Sequence, residues 1–245
     1  MTQEAADRPA RRFEGKVAVV TGASRGLGRA LALGLGRDGA QVLACATDRS
    51  VGALEELDDA IQAAGGPRPT LVPFDLKEAE RIDALPGALQ ERHGRLDLLI
   101  GNAAVLGRLS PLGHVEPTSW RSTFAVNLDA NQRLLACLDP LLRQSKGTAL
   151  CISCRVAAEA PAYWSTYAAS KAALERMVAV YAKEVAAFGV TAACIAPGPL
   201  RTRLRAQAFP GEDPQAVPGP EEAAAEILDL LADGRLAKTP ASARA

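Results

Sequence analysis

At 245 residues, 48% of them apolar and with 28 basic against 28 acidic side chains, the chain fits one large α/β domain with an ample buried core. The charge balance points to neither a nucleic-acid nor an acidic-membrane partner, and no apolar run approaches the roughly 18 residues of a bilayer span. Five cysteines (Cys45, Cys137, Cys151, Cys154, Cys194) sit mostly in apolar runs. Cys151 and Cys154 are formally Cys-x-x-Cys, but they lie along an extended segment that points them to opposite faces. The expectation is reduced thiols, no metal site and a cytoplasmic protein.

The first twelve residues are polar, with Arg8, Arg11 and Arg12, and lack the apolar centre of a secretory signal. They read as a disordered segment ahead of a single domain over 13–245. Lys16–Val20 reads as a buried strand, followed at once by Thr21-Gly-Ala-Ser-Arg-Gly-Leu-Gly28 and an Ala/Leu-rich helix to Gly36. Gly22, Gly26 and Gly28 permit a tight turn, a close approach to a pyrophosphate and close helix–strand packing, and the helix N-terminus favours phosphates. Ser24, Arg25 and Leu27 fill the same turn and join the candidate dinucleotide contacts.

Gln41–Ala46 is the second strand. An acid just after this strand would hold the ribose 2′-hydroxyl of NAD, but Ala46 stands in that place. Arg25, helped by Thr47, would meet a 2′-phosphate instead, although Asp48 and Arg49 blur the choice. NADP(H) is favoured over NAD(H). A helix over 51–64 breaks at Gly65-Gly-Pro67, and a third strand over 70–74 leads to Asp75 and Leu76. Asp75 either caps a helix over 77–92 or contacts adenine. The fourth strand, 96–100, delivers Gly101-Asn-Ala-Ala104 at its carboxyl end. Thr118 is placed to cap a long helix from Ser119 to about Leu138, carrying Asn127.

A fifth strand over 148–153 runs into the stretch Cys154–Lys171, whose end lies in a helix. Tyr167 and Lys171, four residues apart, share a face of that helix. A cation so placed should lower the phenol pKa from about 10 towards neutrality, making Tyr167 a proton donor or acceptor for a substrate oxygen. The sixth strand, 190–195, ends in Ala196-Pro-Gly-Pro-Leu-Arg-Thr202, and a short helix over 201–209 follows. Gly211–Pro220 has the composition of a flap, and Glu221–Leu231 is the last helix. Strands alternating with helices six times predict a doubly wound parallel sheet of order 3-2-1-4-5-6, with ligands at the strands' carboxyl ends.

In this order and spacing, Thr21-Gly-x-x-x-Gly-x-Gly28, Asn102-Ala-Ala104, Asn127, Tyr167-x-x-x-Lys171 and Pro197-Gly-x-x-x-Thr202 resemble the short-chain dehydrogenase/reductase family over about residues 13–232. The stretch 201–214 is further similar to a bacterial subgroup of these oxidoreductases. The resemblance implies that Tyr167 exchanges the proton with a carbonyl or alcohol, and that Lys171 tunes it and binds the nicotinamide ribose. It implies that Asn127 holds a water leading from Lys171 to solvent, and that Pro197, Gly198 and Thr202 grip the carboxamide. Asn102, Ala103 and Ala104 would flank the adenosine side.

Three departures stand out. Thirteen residues before the tyrosine, where the family has an active-site serine, this chain has Cys154; Ser153 should face the other way. The Asn-Asn-Ala-Gly of the family is here Gly101-Asn-Ala-Ala104. The tail after Gly234 is poor in β-formers, so the seventh strand is expected to be absent or rudimentary. The expected activity is an NADP(H)-dependent carbonyl reductase or alcohol dehydrogenase; the alternative is a nucleotide-binding pseudo-enzyme, motivated by Cys154. Tyr163, Trp164 and Phe209 either line a hydrophobic substrate pocket or only pack the flap. A homodimer or homotetramer through the helices bearing Asn127 and Tyr167 is the family's habit.

Overall fold

The computed structural model describes residues 11–238. Its first half runs β1 (Val17–Thr21), α1 (Gly26–Arg37), β2 (Gln41–Ala46), α2 (Val51–Ala63), β3 (Thr70–Pro73), α3 (Ala79–Asp83), α4 (Leu85–Arg92) and β4 (Leu98–Gly101). The second half runs α5 (Pro117–Phe124), a π-turn at Ala125–Asp129, α6 (Ala130–Ser145), β5 (Thr148–Ile152), α7 (Val156–Glu159), α8 (Ser165–Val185), β6 (Thr191–Ile195), α9 (Arg203–Ala208) and α10 (Pro220–Ala232). The strands form one parallel sheet in the order β3-β2-β1-β4-β5-β6, as the sequence predicts. Among the described residues no helix is long and apolar enough to cross a membrane.

Because both faces of a parallel sheet are covered, its central strands are apolar throughout: β1 reads Val-Ala-Val-Val-Thr and is buried along its whole length. On one face α1, α2 and α10 contribute Leu31, Leu35, Leu57, Ile61, Ile227 and Leu228 to the core. On the other face Leu89 of α4, Leu134 and Leu138 of α6, and Leu174 and Val178 of α8 close it. β1 and β4 are paired neighbours, and the strand order reverses between them. Outside the carboxyl ends of the strands at that reversal is where a doubly wound sheet binds ligands.

Several boundaries differ from expectation for local reasons. The helix expected over 77–92 is two helices, since Pro86 lacks the N–H that a continuous helix would need and instead opens α4. Asp75 caps only a turn, accepting from the Lys77 N–H at 3.0 Å. The helix expected to start at Ser119 starts at Pro117, so Glu116 and not Thr118 holds the cap position. It does not run on as one α-helix: a π-turn carries Asn127, and α6 then continues through Pro140 to Ser145.

Beyond α10 the described chain turns through Arg235–Lys238 as one short 3₁₀ turn, whose Leu236 is buried in the core. Within the described residues there is no seventh strand, and the expected lack of β-formers is the reason; the tail from 239 on lies outside them. The expectation for the N-terminal segment also falls outside them at residues 1–10. Arg11 and Arg12 do not fit it, because they are held against the domain: Arg11 donates to the Gly65 carbonyl at 2.5 Å, and Arg12 pairs with Asp38 at 2.6 Å and with Asp229.

At the amino ends of the strands, Asp97 clamps β1 to the chain entering β4. Its side chain is 5% exposed and accepts from the Val17 N–H at 3.0 Å, from Arg95 at 2.7 and 2.8 Å, and from Lys16 at 3.2 Å. Burial alone would raise its pKa, but the bonds from Arg95, Val17 and Lys16 outweigh that and hold it below the usual carboxylate range. A depressed folded-state pKa stabilises above the unfolded value near ~3.9, and the contribution disappears as pH falls through the folded value. Asp97→Asn should therefore lower stability by about 1–3 kcal/mol at neutral pH. The variant should also lose less than the parent on acidification, as urea unfolding at pH 7 and below pH 4 will show.

Candidate active site

A cavity of about 1120 Å³ lies along the carboxyl ends of the strands. Its one end is lined by Gly22, Ser24, Arg25, Gly26 and Leu27 of the glycine turn, Ala46 and Thr47 after β2, and Asp75 and Leu76 after β3. Asn102, Ala103 and Ala104 lie across its middle. Cys154, Tyr167, Lys171, Pro197, Gly198 and Thr202 line its other end. Residues as far apart in the chain as Gly22 and Thr202 are thus brought by the topology to one crevice. Two candidates are not on the cavity wall: Gly28 and Asn127.

Gly28 works from behind. A Cβ placed there would lie 2.3 Å from the Gly22 carbonyl oxygen and 2.4 Å from the Asn102 side-chain nitrogen, so only glycine lets α1 approach the turn this closely. Gly22 itself has φ +67°, the left-handed region. The turn is braced from β4: Asn102 Nδ2 donates to the Thr21 carbonyl at 2.9 Å, and the N–H groups of Asn102 and Ala103 donate to Thr21 Oγ1 at 3.0 and 3.1 Å. Asn102 is thus first a brace for the glycine turn. Arg25 stands at the N-cap of α1 in extended conformation, and its guanidinium has no partner among the described residues.

Asn127 is fully buried in the π-turn. Its Oδ1 accepts from the Val105 N–H at 2.9 Å, and its Nδ2 donates to the Val105 carbonyl and to Ser170 Oγ, both at 3.0 Å. Ser170 Oγ donates in turn to the Tyr167 carbonyl at 2.8 Å. The side-chain amide thereby ties the loop after β4 to α8. Ser170 went unremarked in the sequence because a serine inside a helix, beside two stronger candidates, carries no pattern of its own.

Lys171 is 1% exposed and donates to the Ile152 carbonyl at 2.6 Å, pinning α8 to the end of β5. Its nitrogen lies 5.9 Å from the centre of the Tyr167 ring. The expected lowering of the Tyr167 pKa is not what the structure gives. Burial pushes the phenol well above its ordinary value, with the Cys154 thiol adding to the rise. Burial likewise lowers the lysine. Desolvation wins because both groups lie under the protein surface and the ammonium spends its bond on a backbone carbonyl.

Ser153 does not turn away from the cavity as expected: it and Cys154 both line it. The Ser153 hydroxyl is nevertheless engaged, donating to the Glu175 carboxylate of α8. Thr202 Oγ1 accepts from the Arg205 N–H at 3.3 Å and so caps α9. A hydroxyl that accepts this bond still has its proton to donate.

The mouth of the cavity adds Arg205 and Glu212 to the aromatic residues expected there. Arg205 stacks at 3.8 Å over Phe209 and holds Glu212 through two bonds of 2.6 and 2.7 Å. Trp164 sits between Phe209 and Tyr167, with ring centres 5.7 and 6.0 Å apart. Trp164 and Phe209 thus both line the cavity and pack the flap, so the two readings of these aromatics are not exclusive. Tyr163 points outward at 62% exposure and is not on the cavity wall.

Residues 16–213 match the short chain dehydrogenase family. The chain is 34% identical over 227 residues to the uncharacterized oxidoreductase YciK of Escherichia coli K12, covering 91% of this chain and 89% of that protein. Among solved structures it is similar to a short chain dehydrogenase from Shigella flexneri 2a complexed with NADP, with TM-score 0.87 and 32% identity over 93% of this chain and 96% of that one. It is equally similar to one from Escherichia coli CFT073 complexed with NADPH, with TM-score 0.86 and 33% identity over 93% and 95% of the two chains. The chain belongs to the short-chain dehydrogenase/reductase family and is an oxidoreductase of that family.

Removing the Asn127 amide would strand the Val105 N–H and carbonyl in a buried place. Asn127→Ala should lower stability by about 2–4 kcal/mol, read as a shift of the urea midpoint, while Asn127→Asp should be intermediate.

Proposed function

We propose that the chain transfers a hydride between NADP(H) and the carbon of a carbonyl or alcohol substrate, with Tyr167 exchanging the proton at the substrate oxygen. The observation that carries this reading is the single cavity that joins Arg25, Ala46 and Thr47 at one end to Tyr167 and Lys171 at the other. The residues present fit such a cofactor. The glycine turn is shaped so that a Cβ at Gly28 would destroy it, it opens α1 at its positive end, and Ala46 leaves space where an acid would repel a 2′-phosphate. The partnerless Arg25 guanidinium supplies the matching charge. The solved relatives that hold NADP or NADPH support the same choice.

When bound, the nicotinamide carries the hydride chemistry. Pro197, Gly198 and Thr202 would hold its carboxamide side, with the Thr202 hydroxyl donating. Tyr167 sits beside that end, and burial keeps its phenol protonated at neutral pH. A protonated phenol is the form needed to donate to a ketone or aldehyde oxygen, so the reductive direction is favoured near neutrality. Lys171 holds the end of β5 and meets the ribose, and Asn127 positions α8 through Ser170. Cys154 faces the substrate oxygen with a thiol, a weaker hydrogen-bond donor than a hydroxyl. The apolar mouth formed by Trp164 and Phe209 suits a moderately hydrophobic substrate. A homodimer or homotetramer through α6 and α8 completes the reading, with exposed Val180 and Phe188 available on that side.

Fluorescence titration should show tighter binding of NADPH than of NADH, and Arg25→Ala should weaken NADPH far more than NADH. Equal weakening of both would remove Arg25 from the 2′-phosphate. Loss of one good donor at a developing oxyanion lowers a rate by roughly 10²–10³-fold, so Cys154→Ser should raise turnover on simple carbonyl compounds. An unchanged or lower rate would mean that the thiol is not the limiting donor. Binding of NADPH with no turnover of any carbonyl in a broad panel, by parent and Cys154→Ser alike, would favour a protein that binds the nucleotide without using it.

A further inference from the structure

The helix that carries Tyr167 and Lys171 places a third ionisable group in the same row. Glu175 lies four residues beyond Lys171 and eight beyond Tyr167, so the three share one face of α8. Glu175 receives the hydroxyl proton of Ser153, which is 4% exposed, and Ser153 N–H donates to the Ile195 carbonyl at 2.8 Å. Lys171 holds the neighbouring Ile152 carbonyl. The last residue of β5 and the one after it are thus tied to α8 by two side chains one turn apart, immediately before Cys154.

Lys171 is also a buried cation without an ion pair within 4 Å among the described residues. An ammonium removed from water is unstable unless opposite charge lies near. The groups around it are Tyr167 and Glu175 on α8, Cys151 on β5, Cys154 after it, and Cys194 on β6. Burial pushes the Cys151 thiol up to about 12 and Cys194 higher still, so these remain neutral, as does Tyr167. Glu175 is the one carboxylate among these groups.

We propose that Glu175 is a positioning residue for proton transfer: its carboxylate is the counter-charge of the buried Lys171 ammonium, and through the Ser153 hydroxyl it anchors the backbone that presents Cys154. The proposal rests on the reading of Tyr167 and Lys171 as the proton-transfer pair, but its electrostatic core does not need turnover to be tested. Glu175→Gln keeps an oxygen that accepts the Ser153 proton and removes only the charge. Ser153→Ala keeps the charge, removes its hydrogen-bond donor and leaves the carboxylate freer to approach Lys171. A purely structural bond would make both variants behave alike; a counter-charge makes them diverge.

Lys171 is one of six lysines in the chain, so its side-chain nitrogen can be followed by NMR in protein labelled with ¹⁵N-lysine and assigned with Lys171→Arg. In Glu175→Gln the Lys171 titration midpoint should fall by roughly half a pH unit or more, and in Ser153→Ala it should rise. On a carbonyl substrate the pH–rate limb of Glu175→Gln should move to lower pH in parallel, with KM for the substrate little changed. An unmoved Lys171 midpoint in Glu175→Gln, or a shift in the same direction in both variants, overturns the proposal. Should Glu175→Gln fail to fold, Ser153→Ala decides alone: a rise supports the proposal and any other result refutes it. If no carbonyl compound is turned over, the proposed function falls, while the NMR titration still decides the role of Glu175.

Discussion

The bond from the buried Lys171 ammonium to the Ile152 carbonyl is the constraint on which the site depends. It forces the second turn of α8 against the carboxyl end of β5, and so brings Tyr167 and Cys154 to one end of one cavity. A backbone carbonyl is a partner that no substitution can remove, and it aims the ammonium by geometry rather than by a second charge. Ser170 of the same turn meets Asn127 of the π-turn, which reaches the loop after β4. One cation and two polar side chains thereby register α8, the π-turn, the end of β5 and the loop after β4 against each other. The π-turn is part of this: an extra residue in the helix is what aims the Asn127 amide at both Val105 backbone groups.

A second brace, independent of the first, shapes the far end. Thr21 and Asn102 tie the glycine turn to the end of β4, and close contact between Gly28 and the Gly22 carbonyl leaves the turn one conformation. The floor of the cavity is therefore built on rigid strands and helix ends, which suits a reaction that needs the hydride donor and proton donor at fixed separation. Its mouth is built differently. The α9 flap rests on a half-buried Arg205–Glu212 pair and on the tilted ring contact of Phe209 with Trp164, local contacts partly reached by solvent. Rigidity at the floor and compliance at the mouth are consistent with a site that admits and releases small molecules.

Much of this was legible in the sequence. The six strands, their order and the crevice follow from apolar runs alternating with helical periodicity, and the glycine turn, Tyr167 and Lys171 fall where their spacing puts them. What the sequence hid was of three kinds. Pro86 and the π-turn break helices that periodicity alone reads as continuous. Asn127, Ser170 and Glu175 act through tertiary partners 22 to 43 residues away, which no local pattern announces. The direction of the Tyr167 shift is not legible in the sequence, because spacing gives the nearness of a cation but not the depth of burial, and here desolvation is the larger effect.

The two braces also assign separate duties to residues that share a motif. Gly28 shapes the turn from behind, while Gly22, Arg25 and Thr47 face the cavity and Asn102 both braces the turn and lines the cavity. Of the pair that lines the other end, Ser153 is tied to α8 through Glu175 and Cys154 follows it. The central claim is that the phenol of Tyr167, held by this frame, passes the proton to the substrate oxygen. Its most direct test is the rate of NADPH oxidation by Tyr167→Phe against the parent on the best carbonyl substrate, with NADPH affinity measured alongside. The account requires turnover to vanish while NADPH binding survives; a variant that turned over at the parent rate would contradict it.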